Sequence, residues 1–376
     1  MGTIVDWQSE RSHILLNPAL KQADSLRPEQ LPKLPGHLWL ATSGSSADHD
    51  EIKLVALSKQ AFLVSAAAVN THLEVRNQDH WFLALPDFHV GGLSIYARAS
   101  LSSSKITLWP GIGQKWSPHR FYDDLCASGC TLVSVVPTQI WDLVNLQLRA
   151  PDSLRAAIVG GATLSSAIYP RARRLGWPLL PSYGMTECCS QIATAKLASL
   201  LANGLPRLQI LSHITAKTGD DSKLAVKSPS LLTGVATFNE GKVQFFDPKI
   251  DGWYQTQDIV EIADGFLLFR GRNDDFVKIN GERVSQLALQ NILEKVLTEL
   301  KRREEACVVT VADPRKGNRV VMAFATQDES LIAAVTKKFN QEVLPHERIK
   351  ATYPVPYLPR TSLGKVKLNE LIRMLT

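Results

Sequence analysis

The sequence is poor in the features that would set it apart from ordinary globular chains. Its 376 residues include only five cysteines, at positions 126, 130, 188, 189 and 307. An odd number with two adjacent members argues against a disulfide framework, and no CxxC pair offers zinc-ligand spacing. All five are expected to be structural or incidental, with Cys188 and Cys189 the two to watch because of their neighbours. No apolar run approaches the ~18 residues of a membrane span, so no stable membrane association is expected. The start, Met1-Gly2-Thr3-Ile4-Val5-Asp6, lacks the basic-then-apolar pattern of a secretory signal, which makes the cytoplasm the expected location. Internal repeats and low-complexity segments are missing. Charge is nearly balanced: 42 Lys and Arg face 36 Asp and Glu, for a net +6. From Asp274 onward 17 basic residues face 13 acidic ones, so most of the surplus lies in the last quarter. Such a surplus attracts small polyanions. The basic residues are scattered and lack aromatic interleaving, so nucleic acid is not an expected partner.

What is present is a soluble, two-part α/β pattern. Hydrophobic residues at 45% and charged ones at 21% describe a globular chain, and 376 residues exceed one ordinary core. Residues 1–37 read as an irregular strap. From Leu38 short apolar runs alternate with amphipathic segments: Leu38–Ala41, Trp81–Leu85, Lys105–Trp109, Thr131–Val136, Ala156–Val159 and Trp177–Leu180. A helix capped by Ser58 carries Phe62, Ala66, Val69 and Leu73 on one face, and another spans Ser165 to Leu175. This alternation predicts a sheet of buried strands. Between Ala195 and Phe269 helical periodicity fades into short β-like runs. A compact unit follows: a helix from Gln286 to Arg302, two strands, a helix from Ser330 to Val343, and a last helix Leu368–Leu375. The expected fold is a large N-terminal α/β domain with a β-rich subdomain, residues 1–273, and a small C-terminal α+β lid, residues 274–376.

Several segments carry chemistry. Ser182-Tyr183-Gly184-Met185-Thr186-Glu187 places an aromatic face, a glycine, a hydroxyl and a carboxylate in consecutive positions. Tyr183 can stack on a base, Gly184 permits close backbone approach, Thr186 can donate to phosphate and Glu187 can hold Mg²⁺. Read alone, the same residues also suit a strand end, a turn and a helix start. Thr42-Ser43-Gly44-Ser45-Ser46 offers hydroxyls and backbone N–H groups to phosphates, or else a serine-rich turn. Gly160-Gly161-Ala162 closes a strand before a helix. His89 precedes the pair Gly91-Gly92. Lys365 stands in a Pro-, Gly- and Ser-containing loop, where an exposed lysine is the ordinary outcome.

In this order the segments resemble the adenylate-forming acyl-CoA synthetase superfamily. Tyr183–Glu187 followed by Ser190-Gln191-Ile192-Ala193-Thr194 is most similar to its o-succinylbenzoate–CoA ligase branch, which serves menaquinone synthesis. The resemblance runs from about Leu38 onward, and against the family the chain looks shortened at its N-terminus. It implies an AMP-forming acid–thiol ligase that takes a small carboxylic acid, ATP with Mg²⁺, and CoA. Catalysis falls to Lys365, Thr186 and Glu187, with Glu187 as metal ligand. ATP falls to Thr42–Ser46, Gly160–Ala162, Ser182–Met185, Asp258 and Arg272. The acyl group falls to His89, Gly91, Gly92, Ser190 and Gln191, with Asp274 as the lid hinge. Two departures stand out. Gln257 replaces the glycine expected before Asp258, and the acidic stretch Ala47–Glu51 lengthens the phosphate loop before Lys53. Three carboxylates there are expected to weaken ATP binding. They also leave open a non-catalytic nucleotide-binding relative, beside a ligase for another aromatic or aliphatic acid. The sequence fixes no oligomeric state, and a homodimer is compatible with it.

Overall fold

Five parallel strands form the floor of the larger part of the chain. Their spatial order is Lys105–Leu108, His80–Leu83, Leu132–Val135, Ala156–Val159 and Leu179–Met185. The chain is seen in a computed structural model that describes residues 5–18, 28–41, 52–202, 204–219, 221–239, 242–279, 282–300, 302, 305–313, 317–361 and 364–375. Leu132–Val135 and Ala156–Val159 are buried at every position, as continuous apolar runs covered on both faces must be. The helices Val90–Ser102, Pro118–Ser128, Pro137–Asn145 and Ile168–Arg174 make the crossovers. Their boundaries follow local chemistry. Ser117 accepts from the Arg120 N–H, Pro118 opens the helix, and Gly129 at φ 61° closes it. The Ile168–Arg174 helix is shorter than the stretch 165–175 predicted from periodicity.

The sheet changes character after Met185. A single 3-10 turn, Thr186–Cys188, returns the chain as Ser190–Thr194, antiparallel to Leu179–Met185. No helix starts there. Five further antiparallel strands extend the same sheet to eleven: Leu208–Ile210, Phe266–Arg272, Tyr254–Ala263, Lys223–Lys227 and Thr215–Thr218. The β-rich region is thus shared out. Its remaining strands, Gly234–Asn239 and Lys242–Phe246, join Ile52–Ser58, His37–Ala41 and His13–Leu15 in a five-stranded sheet. The expected irregular strap is partly ordered, therefore. His13–Leu15 pairs with Leu38–Leu40, and the buried Lys59 ammonium donates to the carbonyls of Asp6 and Ser9 at 2.7 and 2.8 Å.

The end of the parallel sheet remote from the site is pinned by charge. Arg155 grips Asp79 with two 2.7 Å hydrogen bonds, and Thr131 and the Arg76 N–H also donate to that carboxylate. Asp79, Thr131 and Arg155 each directly precede one of three neighbouring strands, so one buried carboxylate sets their relative start.

A small C-terminal domain completes the chain. Ala306–Asp313, Gly317–Phe324 and Thr352–Pro354 form its sheet, and Phe276–Ile279 with Glu282–Ser285 forms a hairpin. The helices Gln286–Glu299, Glu329–Glu342 and Leu368–Leu375 pack on these. Two apolar clusters, around Leu293 with Phe339 and around Val321 with Leu371, give this part its own cores. Among the described residues no helix is long and apolar enough to cross a membrane.

Candidate active site

The C-terminal ends of the parallel strands and one side of the small domain enclose a cavity of about 1420 Å³. Ligand sites in open parallel sheets fall at this end, because the strands stop there while helix N-termini and loops converge. Most of the residues singled out from sequence reach its walls: His89, Gly91, Gly160, Gly161, Ala162, Ser182 to Glu187, Ser190, Gln191, Asp258, Arg272 and Lys365. Thr42 to Ser46 and the acidic stretch Ala47–Glu51 lie outside the described residues. Asp274 sits in the short turn Asn273–Asp275 that leaves strand Phe266–Arg272.

Adjacent strands build the first cluster. Tyr183 donates to Asp258 at 2.5 Å, and its ring stacks on Phe269 with centroids 5.6 Å apart. Asp258 and Arg272 are register partners, which brings Arg272 Nε within 3.7 Å of the carboxylate. Burial and Asp258 together push the Tyr183 phenol well above its ordinary pKa, so it stays a donor.

Glu187 forms the second cluster. It projects from the turn after Met185 and is mostly buried, with Lys53 Nζ 3.9 Å from its Oε1. The Tyr254 hydroxyl also hydrogen-bonds to it; burial and Glu187 raise that phenol's pKa. Among the described residues no three His, Cys, Asp or Glu side chains converge on a point.

Lys365 is presented by a tight loop. Thr361 N donates to Lys365 O at 2.7 Å, and Gly364 takes φ 76°. A Cβ on Gly364 would lie 2.2 Å from Thr138 Oγ1, so the loop abuts helix Pro137–Asn145 of the larger part. Lys365 is exposed along the cavity wall, and protein surrounds it. That enclosure, with Arg272 nearby, lowers its pKa, while Asp258 and Asp275 act the other way.

Several glycines have a different reason from the one the sequence suggested. A Cβ on Gly92 would come within 2.3 Å of the Pro86 carbonyl, and Gly92 is not among the cavity-lining residues. Its bareness lets the Val90–Ser102 helix start against the preceding turn; it does not make room for substrate. Gly184 is bare for its own hairpin, since a Cβ there would meet Ser190 O at 1.8 Å. Gly161, at φ 82°, does face open space apart from Val136. Cys188 and Cys189 are buried, and burial raises both thiols, so neither offers a thiolate to the cavity. Burial lowers His89 to about 4, leaving a neutral imidazole at neutral pH. Gln191 is buried and accepts from Thr194 at 2.7 Å.

Arg98 was missed. It lies on the buried face of helix Val90–Ser102, is 1% exposed, and lines the same cavity. Burial lowers its pKa to about 9, which still leaves it charged at neutral pH. Nη2 donates to Ser190 Oγ at 3.3 Å and the guanidinium lies 5.7 Å from the centre of the Trp81 ring. Nε has no partner, and none of the ion pairs among the described residues includes Arg98. The signal was legible: one arginine in the otherwise apolar Ile95-Tyr96-Ala97-Arg98-Ala99. A buried cation without a carboxylate is costly unless an anion is brought to it.

The family model described as AMP-binding enzyme matches residues 38–222, and that described as AMP-binding enzyme C-terminal domain matches residues 293–365. A 2-succinylbenzoate–CoA ligase from Listeria innocua is 28% identical over 310 residues, 82% of this chain and 64% of that protein. One from Bacillus velezensis is 28% identical over 367 residues, 93% of this chain and 72% of that protein. The chain thus spans about two thirds of the length of these relatives. Among solved structures, o-succinylbenzoate CoA synthetase from Bacillus subtilis in complex with its acyl-adenylate intermediate superposes with TM-score 0.71 at 23% identity, covering 89% of this chain and 68% of that one. The same enzyme with ATP and magnesium ion gives TM-score 0.70 at 23% identity, covering 89% and 69%.

Proposed function

Because the chain belongs to the AMP-binding enzyme family, we propose that it is an ATP-dependent acid–CoA ligase acting on o-succinylbenzoate, as in menaquinone biosynthesis. The observation that carries the substrate is Arg98, a buried cation opening onto the cavity that holds Lys365. An acid with two carboxylates uses both ends of such a cavity: one reacts and the other meets Arg98. Monocarboxylic acids leave that guanidinium unpaired, a cost that selects against them.

The reaction runs in two steps. A carboxylate oxygen attacks the α-phosphorus of ATP, the bond to the β-phosphate oxygen breaks, and acyl-adenylate and pyrophosphate result. The CoA sulfur then attacks the acyl carbon and AMP leaves. In the first step two anions meet, and Lys365 offsets their repulsion. Asp258 accepts from the ribose hydroxyls, held in place by Tyr183 and Arg272, and adenine takes the face of Tyr183 not covered by Phe269. Magnesium fits this donor set. Glu187 is a single hard carboxylate, and Mg²⁺ characteristically takes one or two carboxylates with phosphate and water for the rest. When bound, the ion neutralises phosphate charge as the leaving pyrophosphate develops. Glu187 would hold it, and Tyr254 and Lys53 orient Glu187. We place the division between domains at residues 273 and 274. Reorientation of the lid about Asp274 lets one pocket serve both steps. ATP and CoA as co-substrates make the cytoplasm the fitting location.

The test is thioester formation from o-succinylbenzoate, with benzoate and fatty acids as controls, in wild type and Arg98→Met. Wild type should prefer o-succinylbenzoate, and Arg98→Met should lose at least about tenfold of that preference. Pyrophosphate exchange with another acid but not with o-succinylbenzoate would replace the substrate. Exchange with no acid, despite ATP binding, would leave a nucleotide-binding relative.

A further inference from the structure

Gly364 directly precedes Lys365, and it is bare for two separate reasons. The first lies within its own loop. At φ 76° it takes a backbone conformation that strains any L side chain. The loop is a compact unit: Thr361 N donates to Lys365 O at 2.7 Å, Gly364 N to Thr361 O at 2.8 Å, and Lys367 N to Pro359 O at 2.8 Å. Both polar groups of the peptide that joins Gly364 to Lys365 are held as well. Arg360 Nη1 donates to Gly364 O at 2.7 Å, and Lys365 N donates to Thr361 Oγ1 at 3.2 Å. A displacement of Gly364 therefore carries Lys365 with it.

The second reason lies in the larger domain. A Cβ on Gly364 would stand 2.2 Å from Oγ1, 3.1 Å from Cβ and 3.3 Å from Cγ2 of Thr138. Non-bonded carbon atoms rest at about 3.5 Å or more. Turning the Thr138 side chain does not clear the space, because its Cβ stays at 3.1 Å. The backbone of Thr138 is fixed. It follows Pro137, the first residue of helix Pro137–Asn145, close behind the wholly buried strand Leu132–Val135. Val136 N donates to Gln139 Oε1 at 2.9 Å, and Ile140 and Leu143 are buried, which ties the helix start to the core. Thr138, Gly364 and Lys365 all line the one cavity.

We propose that Thr138 is a positioning residue: it is the stop against which the bare Gly364 comes to rest, and the contact sets how far the docked lid carries Lys365 into the cavity. The catalytic consequence rests on the readings of Lys365 and of the lid given above; the contact does not. A single carbon added at Gly364 would hold the loop back by ~1 Å or more, the difference between 2.2 Å and an ordinary contact. The loop passes that shift to Lys365, and a misplacement of this size is worth about a hundredfold in rate. In the reoriented lid the two residues part, so the same carbon is without effect on thioester formation. The strain at φ 76° behaves differently, because it stays within the loop whatever stands opposite.

A double-variant cycle on the full chain separates the two reasons. In rapid-quench assays Gly364→Ala should slow adenylation about a hundredfold and leave thioester formation from preformed acyl-adenylate within about threefold. Thr138→Gly alone should slow adenylation about threefold, since Lys365 loses its stop. Combining them gives the added carbon room, and adenylation should recover at least about tenfold over Gly364→Ala. Thr138→Ala should rescue less, because its Cβ remains. Hydrogen exchange over residues 359–367 without ligands reads the same cycle with no chemistry. There Gly364→Ala should raise exchange about tenfold opposite Thr138 and about twofold or less in the Thr138→Gly background. Thermal melts confirm the fold of each variant. An equal effect of Gly364→Ala on exchange in both backgrounds overturns the stop and leaves the glycine to its loop alone. Equal slowing of both half-reactions overturns it too. If no acid is adenylated, or Lys365→Ala adenylates normally, the exchange cycle alone decides the stop. It is then the ligase reading, or the role of Lys365, that falls.

Discussion

The phenol of Tyr183 donates to Asp258 at 2.5 Å, although the two residues lie 75 positions apart on different strands of one sheet. The bond ties together two parts of the proposed nucleotide site: the ring that would face the base and the carboxylate that would face the ribose. Arg272 closes the group from the opposite side of Asp258 at 3.7 Å.

Tyr183→Phe tests that link with almost no change in volume. The ring keeps its stack on Phe269, but Asp258 loses a hydrogen bond to a charged acceptor, worth about 1.5–3 kcal/mol. KM for ATP should rise roughly tenfold with little change in kcat, since the group binds substrate and transition state alike. Asp258→Ala should raise it further. A KM for ATP that is unmoved in both variants would make the pair structural.

Glu187→Gln keeps the Tyr254 hydrogen bond within reach and removes only charge. Adenylation should fall about a hundredfold or more, while thioester formation from preformed acyl-adenylate changes little. The melting temperature should hold, because the partner lost, Lys53, is a partly exposed cation. Steady-state adenylation at saturating Mg²⁺ checks this, and an unchanged rate removes Glu187 from the metal.

Much of the fold is legible in the sequence. The strands with apolar runs, the cap at Ser58 and the last helix lie where periodicity and end signals put them. What failed did so for local physical reasons. Short motifs report which atoms are available but not which neighbours take them. Gly92 and Gly184 read as space for ligand, yet their missing side chains are required by Pro86 O and Ser190 O of the same chain. Arg98 was passed over because a sequence shows a charge on an apolar helix but not whether a carboxylate meets it. The irregular reading of residues 1–37 failed because His13–Leu15 acquires its partner only after the chain has folded back.

Asp79 supplies a stability prediction remote from the site. Burial pushes its carboxyl up, but Arg155, the Arg76 N–H and Thr131 outweigh burial and hold the pKa below its ordinary value. A carboxyl depressed in the folded state stabilises the protein above its unfolded pKa, and that contribution is lost as pH falls through the folded one. Asp79→Asn should therefore cost most at neutral pH, about 3 kcal/mol if Arg155 is left unpaired. It should also flatten the loss of stability below about pH 4. Urea melts from pH 3 to pH 7 measure both, and parallel curves for wild type and variant would rule the network out as the source.

Lys365→Ala should separate the half-reactions. Adenylation brings a carboxylate to a polyphosphate, and much of its barrier is repulsion between them. A cation at the meeting point lowers that barrier, and the same cation does nothing for a neutral thioester forming from an adenylate already made. The structure supplies the conditions for a large effect. Enclosure depresses the pKa of the ammonium, and Asp258 and Asp275 are placed to keep it charged. Loss of the side chain should cost about 3 kcal/mol in the first step, roughly a hundredfold or more. Thioester formation from synthetic acyl-adenylate and CoA should stay near wild type. Lys365→Arg should rescue in part, because a planar guanidinium on its stem meets the oxygens at a different angle. The fold should be indifferent, since the loop is shaped by Gly364, Thr361 and Arg360 and not by the ammonium. Rapid-quench measurement of each step in the three proteins decides the matter. Equal losses in both steps would mean that Lys365 supports the lid and not the chemistry, and the two-orientation mechanism would have to find another cation.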